Sequence, residues 1–197
     1  MRKGKTFIIC GPSGVGKGTV VAKLLASDPS LYFSVSATTR APRPGEVDGV
    51  HYHFLSMEQF EQWIAEDQFL EHAQFVGNRY GTPQRYVDKA MEQGRDVLLD
   101  IEIQGADQVK KKRPETVRIY VAPPNWAELE RRLIGRGTED MEKVKSRLAR
   151  GKEEFAAAKD FDYLVINDTV DHAVDEIRAI MHAEHCRPEE RIGLINN

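Results

Sequence analysis

The residues with the clearest chemistry lie directly after a short apolar run, Thr6–Cys10, where the sequence reads Gly11-Pro12-Ser13-Gly14-Val15-Gly16-Lys17-Gly18-Thr19. Glycines let backbone N–H groups close on an anion, and the N-terminus of a following helix adds unpaired donors and a positive dipole end. Lys17 adds a mobile positive charge for the β- and γ-phosphates. The pattern predicts a loop that binds the phosphates of a nucleoside triphosphate.

This loop departs at one position from the common pattern G-x-x-x-x-G-K-[ST]. Gly18 stands where a hydroxyl that touches magnesium is usual, and the hydroxyl follows one residue later at Thr19. We therefore expect no direct ligation of a metal by the loop, and we expect Thr19 to contact an α- or β-phosphate.

The elements around the loop predict an α/β fold with a doubly wound parallel sheet. Nearly continuous apolar runs recur along the chain and are typical of parallel strands covered on both faces. Amphipathic helices alternate with them, one of them beginning at Thr82-Pro83 with a capping hydroxyl. The predicted strands are Thr6–Cys10, Phe33–Ala37, Val97–Ile101, Val117–Ala122 and Tyr163–Asn167.

Length and pattern predict one domain, residues 1–197, that carries two additional segments. Its core comprises residues 1–37, 82–125 and 156–197. Residues 38–81 are polar and rich in Gly, Pro and aromatic residues, with a helix over Met57–Ala65 that Ser56 caps, and they predict a small inserted subdomain. The charged segment of about 126–155 is predicted to form a lid.

Composition excludes several classes of protein. The net charge is −3, from 28 basic and 31 acidic residues, and it gives no support for nucleic-acid or membrane binding. Cys10 and Cys186 alone make no disulfide framework, which agrees with a reducing compartment. The apolar run near the start is too short for a signal peptide. We expect a cytoplasmic protein with no nucleic-acid, membrane or obligate protein partner.

The ordered motifs of the chain resemble the guanylate kinases, a nucleoside monophosphate kinase family of P-loop NTPases. The resemblance runs from about Lys5 to His185. It rests on the phosphate loop and on these motifs in this order: Ser34-Val35-Ser36-Ala37-Thr38-Thr39-Arg40, Arg43-Pro44-Gly45-Glu46, Gly49-Val50-His51-Tyr52, Phe69-Leu70-Glu71, Gly77-Asn78-Arg79-Tyr80-Gly81-Thr82, Leu99-Asp100-Ile101-Glu102, Gly135-Arg136-Gly137-Thr138 and Val165-Ile166-Asn167-Asp168.

This resemblance implies an enzyme that transfers a phosphoryl group from ATP to GMP, and to dGMP, giving ADP and GDP in purine nucleotide metabolism. It implies Mg²⁺ as cofactor, held by the nucleotide phosphates and water. It also implies that residues 38–81 bind GMP. The ATP-binding set is then Gly11, Pro12, Ser13, Gly14, Val15, Gly16, Lys17, Gly18, Thr19, Asn167 and Asp168.

Four side chains are expected to hold the GMP phosphate. Arg40 and Arg43 lie three residues apart in a proline-flanked loop and can grip a phosphate as bidentate forks. Tyr52 and Tyr80 can add hydroxyl donors, and all four match the positions that clamp this phosphate in the family. An exposed pair of loop arginines and two tyrosines packed in a core are the alternatives.

Three further residues are expected to read the base. Guanine presents N1–H and amino donors, and Glu71 supplies a carboxylate that only accepts hydrogen bonds. Ser36 and Thr82 supply hydroxyls at positions that the family uses against guanine. Thr82 also has the pattern of a helix cap, and both roles are compatible.

Two carboxylates lie at the carboxyl end of the third predicted strand. Asp100 ends it, where it can orient Mg²⁺ through water or accept from the guanine amino group. Glu102 comes two residues later, and we expect it on the same face of the strand and near GMP.

The resemblance places Arg132, Arg136 and Arg147 on the ATP phosphates or against adenine. Guanidinium donors stabilise the charge of a transferring phosphoryl group. With Lys17, Arg40 and Asp100 they form the expected catalytic set. Asn167 and Asp168 are expected to border adenine, with a simple turn as the alternative.

Two rival functions stay open at this point. A monophosphate kinase acting on AMP or a sugar phosphate would share the fold, and Glu71, Ser36 and Thr82 argue against it. An inactive, guanylate-kinase-like interaction module is the second rival. The intact Lys17 and loop glycines argue against that module.

Overall fold

In the computed structural model, which describes residues 3–135 and 141–195, helices and strands alternate along the chain. The strands are β1 (Thr6–Cys10), β2 (Tyr32–Phe33), β3 (Ala37–Thr38), β4 (His53–Phe54), β5 (Phe69–Phe75), β6 (Asn78–Pro83), β7 (Val97–Asp100), β8 (Val117–Ala122) and β9 (Tyr163–Ile166). The helices are α1 (Lys17–Ser27), α2 (Met57–Ala65), α3 (Gln84–Glu92), α4 (Ile103–Lys112), α5 (Trp126–Ile134), α6 (Met141–Phe155), α7 (Val170–Glu184) and α8 (Pro188–Ile195).

The chain divides into two compact units, and β1 contributes to both of them. The first unit comprises Met1–Ile8 and Pro29–Val117, and the second comprises Ile9–Asp28 and Arg118–Asn197. A five-stranded sheet has the order β2-β7-β1-β8-β9. Within the first unit β2 pairs parallel with β7, and within the second β8 pairs parallel with β9. The α/β class with a parallel central sheet, predicted from the sequence, is confirmed.

Strand β1 is buried along its whole length, which explains its continuous apolar sequence. Phe7, Ile8 and Ile9 are fully inaccessible to solvent, and so is Cys10. A strand covered on both faces has no solvent side on which a polar residue could alternate. The strand therefore holds the start of the phosphate loop at a fixed place.

The first unit also contains a four-stranded sheet, with the order β4-β3-β6-β5. Helix α2 packs on this sheet through Phe60, which joins Ala37 and Phe69 in a buried cluster. The helix begins at the predicted residue, because the Ser56 hydroxyl accepts from the Gln59 N–H and the Gln59 side chain accepts from the Ser56 N–H. This sheet carries three of the residues expected to bind GMP, namely Glu71, Tyr80 and Thr82.

Three local predictions in this unit are wrong. The single strand expected over Phe33–Ala37 is two strands, because β2 belongs to the parallel sheet and β3 to the four-stranded sheet. Thr82 lies in β6, and Pro83 is the N-cap of α3 without a side-chain cap bond, so Thr82 is not a helix cap. Glu102 is not on the strand, since β7 ends at Asp100 and Glu102 is the N-cap of α4.

The second unit places α5 and α7 at the carboxyl ends of its strands. Asn125 caps α5 by accepting from the Glu128 N–H at 2.8 Å, and Thr169 caps α7 by accepting from the His172 N–H. Helix α7 buries Val174 and Ile177, which lie three residues apart and so share one face of the helix. Among the described residues, the helices are all too short or too polar to cross a bilayer.

Candidate active site

The phosphate loop connects β1 to α1, and its backbone requires glycine at three places, Gly11, Gly14 and Gly16. Gly16 is the N-cap of α1 with a φ of 99°, in the left-handed region. Gly11 lies so close to β8 that a Cβ atom there would stand 2.2 Å from the Val121 carbonyl oxygen. No side chain caps the N-terminus of α1, and its first turn holds no acidic residue. The first N–H groups of α1 are therefore available to an anion.

Lys17 is the first residue of α1, and its Nζ donates to the Gly11 carbonyl at 2.7 Å. The ammonium group thus lies over the loop that it is expected to serve. Arg147 reaches the same loop from α6, where its Nη2 donates to the Ser13 hydroxyl at 2.8 Å. A Cβ atom at Gly18 would meet nothing within 4 Å, and Thr19 is exposed beside it.

Beside the loop, a cleft of about 330 Å³ opens within the second unit. It is lined by the loop, by α5 and by the residues that follow β9. The lining residues are Gly16, Thr19, Glu128, Arg131, Arg132, Asn167, Asp168 and Val170. Four of them, Gly16, Thr19, Asn167 and Asp168, belong to the predicted ATP-binding set.

Arg132 is held by three acceptors at this cleft. Its Nε donates to Glu128 at 2.7 Å, its Nη1 to the Val15 carbonyl at 3.0 Å and its Nη2 to the Asn167 carbonyl at 3.0 Å. Hydrogen bonds from Arg131 and Arg132 lower the pKa of Glu128 to about 2. The structure therefore ties Arg132 to the phosphate loop and to the end of β9. Arg136 lies outside the described residues.

Asn167 and Asp168 take different positions in the cleft. The buried Asn167 donates from Nδ2 to the Val15 carbonyl at 2.7 Å, so it braces the phosphate loop. Asp168 is exposed and accepts from the Thr169 N–H, and it pairs with His172 at 2.9 Å. That pairing lowers the pKa of Asp168 and raises the pKa of His172.

In the first unit, three of the four expected phosphate-clamping side chains lie together. The Cζ of Arg40 is 5.3 Å from the centre of the Tyr52 ring, and the rings of Tyr52 and Tyr80 are 6.2 Å apart. Arg40 Nη2 contacts both oxygens of Glu46, at 2.8 and 3.0 Å. Hydrogen bonds from Arg40 and from the Arg43 N–H lower the pKa of Glu46 to about 2. Only the backbone of Arg43 joins this group, and its side chain is exposed.

A buried carboxylate and a hydroxyl lie opposite each other on β5 and β6. Glu71 pairs with Thr82 in the sheet register, and the Thr82 hydroxyl donates to Oε1 of Glu71 at 2.7 Å. Glu71 is only 7% exposed. Burial, the largest effect, raises the pKa of Glu71, and the charge of nearby Glu102 raises it further. This carboxylate offers hydrogen-bond acceptors in a place from which water is largely excluded.

The other predicted residues of the first unit lie at strand ends. Ser36 is half-buried just before β3, and its carbonyl accepts from the His53 N–H at 2.9 Å. Asp100 is exposed at the last position of β7, and Glu102 begins α4 two residues later. Over residues 3–135 and 141–195, no group of three or more His, Cys, Asp or Glu side chains is arranged to hold a metal ion.

Comparison with known proteins agrees with this geometry. The family model of guanylate kinase matches residues 3–184. A guanylate kinase of Halalkalibacterium halodurans is 51% identical over 96% of this chain and 93% of its own, and one of Streptococcus thermophilus is 48% identical over 99% and 94%. The crystal structure of guanylate kinase from Anaplasma phagocytophilum superposes with a TM-score of 0.74, at 30% identity over 95% of this chain and 89% of that one.

The chain belongs to the guanylate kinase family. The match covers nearly the whole chain, so it includes both the phosphate loop and the sheet that carries Glu71.

Sequence reasoning missed two carboxylates in this guanylate kinase family member. Glu46 accepts from Arg40 and from the Arg43 N–H, and the sequence signal for this role is a carboxylate six residues after Arg40 and three after Arg43. Glu128 pairs with Arg131 and Arg132, and its spacing of three and four residues from them is the sequence signal for ion pairs on one helix face. Both side chains hold arginines in place.

Proposed function

We propose that this chain transfers the γ-phosphoryl group of ATP to GMP, and to dGMP, yielding ADP and GDP. The observation that carries the proposal is the buried Glu71 carboxylate, held by Thr82, in a chain of this family whose phosphate loop keeps its glycines and Lys17. An acceptor-only group suits the N1–H and amino donors of guanine. The same carboxylate would repel the N1 lone pair of adenine. It therefore favours the binding of guanine and also disfavours the binding of adenine.

The proposed ATP site lies in the second unit. The loop N–H groups and the start of α1 bind the phosphates, and Lys17 moves its Nζ from the Gly11 carbonyl to the β- and γ-phosphates. Arg147 already contacts the loop through Ser13 and can turn to the phosphates.

Further positive charge is proposed to come from Arg132 and Arg136. Adenine is proposed to be bordered by Asn167 and Asp168. Positive charge favours the transition state, in which negative charge spreads over the transferring oxygens.

The proposed GMP site lies in the first unit, with residues 38–81 as its inserted segment. The phosphate of GMP is held by Arg40, Arg43, Tyr52 and Tyr80, and Glu46 already orients Arg40.

The guanine base is bound by Glu71, Thr82 and Ser36. Asp100 and Glu102 are proposed to lie at the same nucleotide, and Asp100 also has a role in catalysis.

Magnesium is proposed as cofactor, bound by nucleotide phosphates and water. The donor set fits this cation, because Asp100 offers an exposed carboxylate at the end of β7 and hard oxygen ligands suit Mg²⁺. When bound, the ion neutralises part of the negative charge of the phosphates.

The division into a core, an insertion and a lid of about 126–155 stays a prediction, as do the cytoplasmic location and the lack of macromolecular partners.

A coupled assay for ADP release with ATP and GMP tests the activity, with AMP and a sugar phosphate as alternative acceptors. Lys17→Ala should reduce turnover with GMP by at least about a thousandfold, since the phosphates lose their charged partner in the transition state. Lys23→Ala is the matched control, because Lys23 lies on the same helix and pairs with Asp171 at the surface. Near-normal turnover in Lys17→Ala would show that the loop assignment is wrong.

A further inference from the structure

Gly105 of α4 faces the carboxylate that is proposed to read guanine. While Oε1 of Glu71 accepts from Thr82, the other oxygen points at the first turn of α4. A Cβ atom built on Gly105 would lie 2.9 Å from Oε2 of Glu71, 3.2 Å from its Cδ and 3.3 Å from its Cγ. The first distance is shorter than real Cβ contacts, so a side chain at position 105 and the present Glu71 conformer exclude each other.

The Gln108 side chain links α4 to the strand that carries Glu71. Gln108, one turn further along α4, accepts from the His72 N–H at 3.2 Å and donates to the His72 carbonyl at 3.1 Å. His72 follows Glu71 in β5, so two hydrogen bonds clamp the helix to the strand beside the carboxylate. The flexible end of the Glu71 side chain is therefore the group that would move.

The glycine is not required by the backbone. Gly105 lies inside α4 and is absent from the residues with positive φ, so its conformation suits alanine as well as glycine. Alanine is the better helix former of the two. Glycine at this position thus needs an explanation other than helix geometry, and the adjacent carboxylate provides one.

We propose that Gly105 is a positioning residue for base selection, which leaves the space that holds the Glu71 carboxylate in its guanine-reading orientation. The inference rests on the proposed function, in which Glu71 accepts the donors of guanine. A methyl group at position 105 displaces that carboxylate while the phosphate loop and the second unit keep their residues unchanged.

Gly105→Ala tests the proposal, with Gly193→Ala as the matched control. Gly193 lies in α8, and a Cβ atom there would meet nothing within 4 Å. We expect Gly105→Ala to lower kcat/KM for GMP by about tenfold or more and to narrow the preference for GMP over AMP, with the KM for ATP unchanged within about twofold. Gly193→Ala should match the parent in all of these. A kcat/KM for GMP in Gly105→Ala equal to that of the parent would overturn the inference.

A double variant separates this inference from the proposed role of Glu71. In Glu71→Ala the clash partner is gone, so adding Gly105→Ala should lower kcat/KM for GMP by less than about twofold. If Gly105→Ala lowered kcat/KM for GMP as much in Glu71→Ala as in the parent, Gly105 would not act through Glu71. If Glu71→Ala alone kept the parental kcat/KM for GMP, the proposed reading of guanine would fail instead.

The double variant also covers a failure of Gly105→Ala to fold. If the single variant unfolds because its methyl group meets the buried carboxylate, removing the Glu71 side chain should restore cooperative thermal unfolding. A double variant that stays unfolded would overturn the proposal, because the methyl group would then be excluded by something other than Glu71.

Discussion

At the scale of single residues, the site contains carboxylates with opposite environments. Glu46 lies near the surface between guanidinium and N–H donors, which lower its pKa to about 2, so it stays charged at any working pH. Glu71 is buried and accepts from the Thr82 hydroxyl, and burial, the largest effect, raises its pKa. The first carboxylate holds an arginine, whereas the second is proposed to accept the donors of guanine. Such a difference between two carboxylates is typical of functional sites.

The raised pKa of Glu71 predicts how GMP use depends on pH. As pH falls through that raised pKa, the carboxyl gains a proton and loses acceptors, so kcat/KM for GMP should fall with a midpoint above the ordinary value near 4.5. Glu71→Gln should lack this acid limb and show a kcat/KM for GMP about tenfold to a hundredfold lower at neutral pH, since a guanine donor stays unpaired. A pH series of initial rates measures both effects, with Glu58→Gln on the surface of α2 as the control.

The raised pKa of Glu71 also makes the free energy of unfolding depend on pH, and the direction of the pKa shift sets the sign of this dependence. A folded-state pKa above the unfolded value means that the contribution of Glu71 is fully present at low pH and is lost as pH rises through the folded-state pKa. The free energy of unfolding of the parent, relative to Glu71→Gln, should therefore fall over that range. Urea unfolding of both proteins at several pH values measures the difference, and an opposite slope would contradict the buried, pKa-raised carboxylate.

At the scale of elements, the sheet that carries Glu71 is supported by helix α2. Phe60 of α2 stacks on Phe69 at a ring distance of 4.4 Å, and Phe69 begins the strand that contains Glu71 two residues later. The helix starts at a capping box formed by Ser56 and Gln59, a pattern that can be recognised from four consecutive residues of the sequence. A local motif thus fixes where the helix begins, and packing then fixes where the strand lies.

Removing this cap should affect stability rather than catalysis. Ser56→Ala loses the hydroxyl that accepts from the Gln59 N–H, at an expected cost of about 0.5–2 kcal/mol in the free energy of unfolding. Ser56→Asn supplies another good cap and should recover most of the loss. Denaturant unfolding measures the stability, and kcat/KM for GMP well below the melting temperature should match the parent. A loss of GMP use in a variant that stays folded would show that α2 does more than support the sheet.

At the scale of the whole molecule, the two proposed nucleotide sites use separate sets of residues, each within one compact unit. Binding to the folded state alone stabilises a protein, by about 2.7 kcal/mol when the free ligand is at 100 times its Kd. In a chain of this size, each kcal/mol moves Tm by roughly 2–4 °C. Ligand-dependent melting can therefore report each site without turnover.

The two sets of binding residues predict that a variant in one set loses thermal stabilisation by one nucleotide and keeps stabilisation by the other. Lys17→Ala should lose most of the Tm increase caused by ATP and keep the increase caused by GMP, because Lys17 is proposed to bind the triphosphate. Glu71→Gln should keep the ATP effect and lose most of the GMP effect, because Glu71 is proposed to bind guanine. Melting curves of both variants and the parent with each nucleotide measure this. Equal losses of both effects in either variant would contradict the separation.

Features that depend on a few neighbouring residues were determined by the sequence alone. The phosphate loop needs glycines, a lysine and a following helix within nine residues, and the start of α2 needs Ser56 and Gln59. The parallel sheet follows from buried apolar runs such as Thr6–Cys10. The family motifs, taken in their order, also identified Glu71 and Thr82 as candidates for one ligand.

Which side chains meet was decided only by the tertiary structure. The sequence placed Thr82 at a helix start, and strand register instead puts its hydroxyl on Glu71, eleven positions away. Arg132 meets the Val15 carbonyl across 117 positions. Periodicity also could not divide residues 33–37 between two sheets, because it reports burial but not the partner strand. Local chemistry fixes the turns and caps, whereas register and packing over long separations fix the contacts that orient the site.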